Sequence, residues 1–142
     1  MAAEIIIILN CFRIISLWVM IKCSKNYKII LEDIYKWKEL LKISGKNFNC
    51  FSCLILFYKE FRNLIYVRCC VFAQVWIKLF FKPLDCLSVS TKDIGGGLFI
   101  QHGIGTIISA KSIGKNCWIN QNVTIGYKKM NWFHRPLEIM LK

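Results

Sequence analysis

The sequence predicts an α+β chain: a helical first part followed by a short solenoid of six-residue repeats. Three observations predict it. From Lys25 to about Pro83, apolar residues recur at helical spacings. After Asp93 seven of the eight Gly fall between Gly95 and Gly126, and no acidic residue occurs until Glu138. In the same stretch Ile94, Ile100, Ile107, Ile113, Ile119 and Ile125 recur at intervals of six, seven, six, six and six. A fixed short period is the mark of a solenoid, in which each repeat is one short strand plus a turn. The Ile side chains would stack inward, and Gly or Asn would supply turns with positive φ. An ordinary β-meander would need six Ile to hold one register by chance.

The first element is the apolar stretch Ile5 to Ile21, interrupted by Asn10 and Arg13. Three readings stay open: a membrane-spanning helix, a buried helix, or residues translated upstream of a true start at Met20. An Arg near the middle of a spanning helix costs about 2.5–3.5 kcal/mol. No basic stretch precedes the segment and no A-x-A-like site follows it, so a signal peptide is not expected. The helical region proper is taken as residues 24–92. Ile29, Ile30, Ile34, Trp37, Leu40 and Leu41 define an amphipathic helix, with Glu32, Asp33, Lys36 and Lys38 between them and a stop at Ser44-Gly45. A second helical stretch runs from about Phe48 to Arg68 and a third from about Cys70 to Phe81, closed by Pro83. Their apolar residues lie on nearly all sides. Packing within an oligomer is the preferred reading, with contact to a membrane surface as the alternative. The repeats occupy residues 93–127, and residues 128–142 form a tail of different character.

Composition narrows the classes. The chain has 142 residues, is 56% hydrophobic and carries a net charge of +12. That excludes a disordered chain and favours polyanionic partners such as a phosphorylated cofactor or a membrane surface. No nucleic-acid reading motif is visible. The eight Cys sit mostly among Phe, Leu, Ile and Val, which suits free thiols in a reducing compartment. Cys50-x-x-Cys53 has no second pair at zinc-finger spacing, so no metal is expected. Asn122-Val123-Thr124 fits a glycosylation sequon, which a cytosolic protein would not use.

The runs Ile94-Gly-Gly-Gly-Leu-Phe-Ile-Gln-His-Gly103 and Ile113-Gly-Lys-Asn-Cys-Trp-Ile-Asn-Gln-Asn-Val-Thr-Ile-Gly126 resemble the serine O-acetyltransferases among the hexapeptide-repeat acyltransferases. The likeness is to the branch found near capsule and exopolysaccharide genes. It is specific from about Asp93 to Tyr127 and weaker over Glu60-Phe-Arg-Asn-Leu-Ile-Tyr66. The resemblance implies an N-terminal helical part followed by a left-handed parallel β-helix, assembled as a homo-trimer. It implies transfer of acetyl from acetyl-CoA to the hydroxyl of L-serine, feeding cysteine biosynthesis in the cytoplasm. An intact form would be expected to partner cysteine synthase. His102 takes the place of the family's catalytic His and would act as general base on the acceptor hydroxyl. The competing reading of His102 is a solvated turn residue. Gln101 would contact the substrate, and Thr124, Gly126 and Lys128 the cofactor. Lys115, Lys128 and Lys129 could attract CoA phosphates as point charges, or simply form a solvated basic face.

The departures point to specific doubts about the acceptor. Many family members carry an Asp where this chain has Gln101, and an orienting Asp near the place of Leu87-Ser88-Val89-Ser90. Without the first, a sugar hydroxyl becomes an alternative acceptor. The repeats also stop after Tyr127, whereas the family continues. One codon choice for Phe133 to Lys142, read two bases on, encodes Ser-Pro-Thr-Ile-Gly-Asp-Asn-Val-Lys, a well-formed next repeat. The expectation is a frame slip near Lys128–Asn131 and a truncated β-helix, so His134 is not counted as a second catalytic His. Three functional readings follow: a serine O-acetyltransferase, an O-acetyltransferase of a capsule or exopolysaccharide sugar, and an inactive remnant.

Overall fold

The structure, a computed structural model, describes residues 10–126. Among the described residues five helices come first: α1 (Cys11–Lys22), α2 (Tyr27–Leu40), α3 (Asn47–Phe57), α4 (Lys59–Arg68) and α5 (Val71–Phe80). Seven short strands follow: β1 (Leu87–Val89), β2 (Asp93–Ile94), β3 (Phe99–Ile100), β4 (Thr106–Ser109), β5 (Ser112–Ile113), β6 (Trp118–Ile119) and β7 (Thr124–Gly126). Strands therefore begin at Leu87, ahead of the Asp93 boundary read from the repeats. The tail from Lys128, with Lys129 and His134, lies outside the described residues, as does the stretch before Asn10.

Helix α1 answers for most of the apolar N-terminal stretch. Ile14, Leu17, Trp18 and Ile21 recur at i, i+3, i+4 and i+7 and are all buried. Trp18 meets the rings of Tyr27, Phe48 and Phe51 at 6.2, 5.8 and 4.9 Å. Among the described residues no helix is long and apolar enough to cross a membrane. Helix α2 buries Ile30, Asp33, Ile34 and Trp37 on the same spacing. It ends at Leu40 rather than Ser44-Gly45. Lys42 takes the left-handed conformation (φ 54°) usual for Gly, and the Ile43 N–H closes onto the Lys38 carbonyl.

The stretch from Phe48 to Arg68 is two helices, not one. Tyr58 is extended between them. Arg62, one turn into α4, makes the break tolerable. Its guanidinium donates back to the carbonyls of Ile55 and Leu56 at the end of α3, and to Lys82. Carbonyls that a helix end leaves unpaired are thereby satisfied. Asn63 beside it donates to the carbonyls of Leu84 and Leu87 and accepts from the Leu84 N–H, so α4 also fixes the link into β1.

The left-handed parallel β-helix is not seen; the described strands form three small parallel sheets, of order β1-β4-β7, β2-β5 and β3-β6. Two physical reasons separate this from the expected solenoid. First, the six-residue register does not hold. Ile107 is 47% exposed, whereas its neighbour Ile108 is fully buried and pairs with Ile125. Thr106 and Ile108 take the inward positions of β4. Second, strands of two to four residues do not enclose a core of their own. Leu98, Phe99, Ile100 and Ile119 belong to one apolar cluster with Ile34, Trp37, Phe61 and Leu64 of the helices. Ile94 and Ile100 do stack on Ile113 and Ile119, as the repeat spacing requires.

The helices hold the strands through Ile94–Leu98. Arg68 and Asp33 are buried and paired, Nε to Oδ2 at 3.0 Å and Nη2 to Oδ1 at 3.2 Å. Arg68 also donates to the carbonyls of Ile94 and Gly95. Asp33 Oδ1 accepts the N–H groups of Gly97 (2.8 Å) and Leu98 (3.1 Å), and Trp37 Nε1 donates to the Leu98 carbonyl at 2.8 Å. The triple glycine fits this site sterically. A β-carbon on Gly95 would stand 2.7 Å from the backbone of Gly114 and Lys115 in the adjoining layer. Gly97 has φ 78°, and a β-carbon there would stand 2.3 Å from Asn116 Oδ1.

Two predictions follow from this clamp. Gly95→Ala must push β2 from β5 and is expected to cost about 1–3 kcal/mol. Gly114→Ala, with open space at its Cα, should shift stability by less than about 0.5 kcal/mol. Urea unfolding of both variants makes the comparison, and equal costs would contradict the close approach. Burial pushes the Asp33 carboxyl up to about 6, outweighing Arg68 and the backbone donors. The folded value lies above the unfolded one of 3.8, so this carboxyl's contribution is full below about pH 4 and is lost as pH rises through about 6. Arg68→Met strands the charge and should cost about 3–5 kcal/mol at pH 7. The cost should shrink at pH 5, where protonation neutralises Asp33. A pH-independent cost would show that the carboxylate is not the stranded group.

Candidate functional site

The motif Leu98-Phe99-Ile100-Gln101-His102-Gly103 passes from core to surface within a few residues. Leu98, Phe99 and Ile100 are buried, Gln101 is half-buried and His102 is exposed. Phe99 packs on Trp37 at 4.7 Å and on Trp118 at 5.2 Å. This anchors the strand that leads to His102. His102 itself has φ 51°, a left-handed turn position that His tolerates better than most residues. Its carbonyl accepts the Ile104 N–H at 2.6 Å and tightens the turn.

A second layer of chain backs that turn. The Gln101 N–H donates to the Ile119 carbonyl, and the Asn122 N–H donates to the Ile104 carbonyl. Thr106 Oγ1 reaches the Asn120 carbonyl at 3.1 Å. Gly105 (φ 65°) sits over Asn122 (φ 56°), just as Gly97 sits over Asn116 (φ 55°). Positive φ at the same place in both layers lets the turns nest. Asn is the residue other than Gly that adopts this conformation readily.

Of the residues read from the sequence, Gln101 and His102 are brought together at this corner. Thr124 and Gly126 are both exposed and lie on β7, which pairs with β4 as Ile107 with Thr124 and Ser109 with Gly126. They are thus on the strand that follows the backing layer. Lys115 is exposed on the turn after β5, and its ammonium stands 3.8 Å from Glu32 of α2. Lys128 lies outside the described residues.

Three residues escaped the sequence reading. Trp118 Nε1 donates to Gln101 Oε1 at 3.1 Å and to Asn120 Oδ1 at 3.2 Å. Gln101 is thus held by Trp118 of the layer beneath, whose indole N–H is shared with Asn120. Phe99 and Trp118 are paired residues of β3 and β6, so laying one layer of sequence over the next would have found this contact. The third is Glu60. Its side chain lies against Gly103, where a β-carbon would be 3.3 Å from Glu60 Cγ. Nothing in the local sequence could indicate that, because α4 and β3 are far apart along the chain.

Cys50 and Cys69 are buried, whereas Cys11, Cys23, Cys70 and Cys86 are exposed. Cys50 Sγ donates to the Gly45 carbonyl, and burial raises the Cys53 thiol above its ordinary value. Burial pushes Cys69 up to about 12, which leaves it a poor nucleophile. Among the described residues no group of three or more His, Cys, Asp or Glu could hold a metal ion. Two surface concavities, of about 570 Å3 beside Cys23 and Cys70 and about 430 Å3 beside Asn63 and Lys82, do not include His102. Compared with protein-family models, curated proteins and solved structures, the chain has no match.

Proposed function

We propose that the chain is an acetyl-CoA-dependent O-acetyltransferase of the serine O-acetyltransferase kind, with His102 as its general base. One observation carries this reading. An exposed imidazole stands on a rigid turn, two residues after a buried strand and directly over a second hydrogen-bonded layer. A base must be held in place while remaining open to its substrate, and this turn meets both needs. His102 would take the proton of the acceptor hydroxyl as its oxygen forms a bond to the thioester carbonyl carbon. The carbon–sulfur bond then breaks, and the proton passes to the departing CoA thiolate. No acyl-enzyme is required.

Substrate contacts are assigned on the same basis. Thr124 and Gly126 offer an exposed hydroxyl and exposed backbone to acetyl-CoA. Lys115 and, beyond the described residues, Lys128 offer positive charge to its phosphates. The exposed Ile104, Ile107 and Trp118 surround the corner with apolar surface, which suits completion of the site by further copies in a homo-trimer. A cytoplasmic location accords with the free thiols. A cysteine synthase partner follows only if L-serine is the acceptor.

One observation favours a second acceptor. The Gln101 carboxamide oxygen is taken by Trp118, so this position offers no carboxylate to a substrate ammonium. A sugar hydroxyl needs no such partner. The exposed indole of Trp118 beside the Gln101 amide offers the apolar face on which a sugar ring can stack.

Thiol release from acetyl-CoA in the presence of L-serine, and separately of sugar acceptors, tests both. His102→Ala should lower turnover about 10²–10⁴-fold with folding intact by circular dichroism. Unchanged turnover removes His102 from the mechanism, and absence of thiol release with every acceptor favours an inactive remnant. Gln101→Asp should raise turnover with L-serine relative to sugars if the missing acid is what limits the amino-acid acceptor.

A further inference from the structure

We propose that the outer face of α1 and α5 docks on a membrane surface rich in anionic lipid. Both helices are apolar on two sides. On α1 the inward stripe is Ile14, Leu17, Trp18 and Ile21, while Phe12, Ile15 and Val19 face out, 73%, 46% and 54% exposed. On α5 only Ala73 and Ile77 are buried, while Val71, Phe72, Val75 and Leu79 are 52–82% exposed. The two helices pack against each other. Phe12 and Trp76 stack edge to face at 6.1 Å, and Trp76 Nε1 donates to the Arg13 carbonyl at 3.1 Å. Large exposed side chains on adjoining helices make an apolar face of the kind that marks an interaction site.

Charge selects the occupant. No acidic residue occurs from Asn10 to Leu31 or from Phe61 to Leu84, the two stretches that contain these helices. Arg13, Lys22, Lys25, Lys28 and Lys78 in those stretches are all exposed, while Lys82 is exposed but paired with Asp85 at 3.2 Å. Three of these cations lie along aromatic rings: Arg13 over Phe80 at 5.2 Å, Lys22 over Trp18 at 5.9 Å and Lys78 over Tyr66 at 5.2 Å. Stems laid on apolar surface with charges at its rim are what an interfacial helix presents to phosphate headgroups. A second copy would bring the same face, the same acid-free flanks and another net charge of +12 against this one. An anionic bilayer neutralises them instead. At 12 and 10 residues the helices are too short to cross a bilayer, so the contact is one of lying on the surface.

The test is co-sedimentation of the full chain with phosphatidylcholine vesicles, with and without phosphatidylserine. Binding should be at least about tenfold tighter with phosphatidylserine and should weaken as salt is added. Phe72→Asp with Leu79→Asp should abolish it while leaving the circular dichroism spectrum and unfolding midpoint in place, since both side chains point to solvent. Lys22→Ala with Lys78→Ala should weaken binding only to the phosphatidylserine vesicles. Equal binding to both vesicle types would overturn the proposal. So would failure to bind either, whether or not sedimentation velocity then shows a self-association that the Phe72 and Leu79 changes abolish.

Discussion

The buried pair of Asp33 and Arg68 is the constraint on which the other contacts depend. A carboxylate and a guanidinium taken out of water must find hydrogen bonds for every remaining lone pair and proton. Here those partners are the backbone of Ile94, Gly95, Gly97 and Leu98. Two helices and the start of the strand region are therefore tied by one polar cluster. Among the described residues no buried side-chain nitrogen or oxygen is left unpaired. Such a pair adds less to net stability than its distances suggest, because desolvation offsets most of the attraction. Its effect is positional: an apolar pair of equal volume could fill the space but could not hold the polar backbone of Ile94 to Leu98.

Helix α4 extends the same logic. Arg62, Asn63 and Arg68 each direct a side chain to backbone carbonyls of another segment: the end of α3, the link into β1, and the Gly95 region. Each contact settles carbonyls that would otherwise be buried or left at a frayed helix end. That explains how these short helices, of 10 and 14 residues for α4 and α2, pack without leaving their end carbonyls unpaired. It also gives a physical role to the Glu60–Tyr66 run.

Much of this could be read from the sequence, and the failures have identifiable causes. The apolar spacing of α2 and the turn-forming Gly and Asn residues were legible because they depend on local geometry. The parallel stacking of Ile94 on Ile113 and of Ile100 on Ile119 was legible for the same reason: equal spacing puts equal residues in line. The break at Tyr58 was not, since it rests on Arg62 reaching back to carbonyls, and no propensity reports that. The register slip from Ile107 to Ile108 was hidden because both are Ile. Only the inward packing of Thr106 decides between them. The expected left-handed β-helix failed at a larger scale. A solenoid of this kind buries a core of its own, whereas these repeats' apolar side chains share one with the helices.

The candidate site shows why that sharing matters. His102 gains nothing from its own turn except exposure and a tight carbonyl contact. Its fixed position comes from Phe99 wedged between Trp37 and Trp118, and from Leu98 held at both its N–H and its carbonyl by Asp33 and Trp37. The path from the buried ion pair to the exposed imidazole is five residues long, Leu98 to His102, and no member of it is free to rotate away until Gln101. There Trp118 takes over from the helices as the support. A reactive group placed on a free loop would spend most of its time out of line with any substrate. Here the helical half supplies the rigidity and the stacked strands supply the exposure, so neither half could present the imidazole in this way alone.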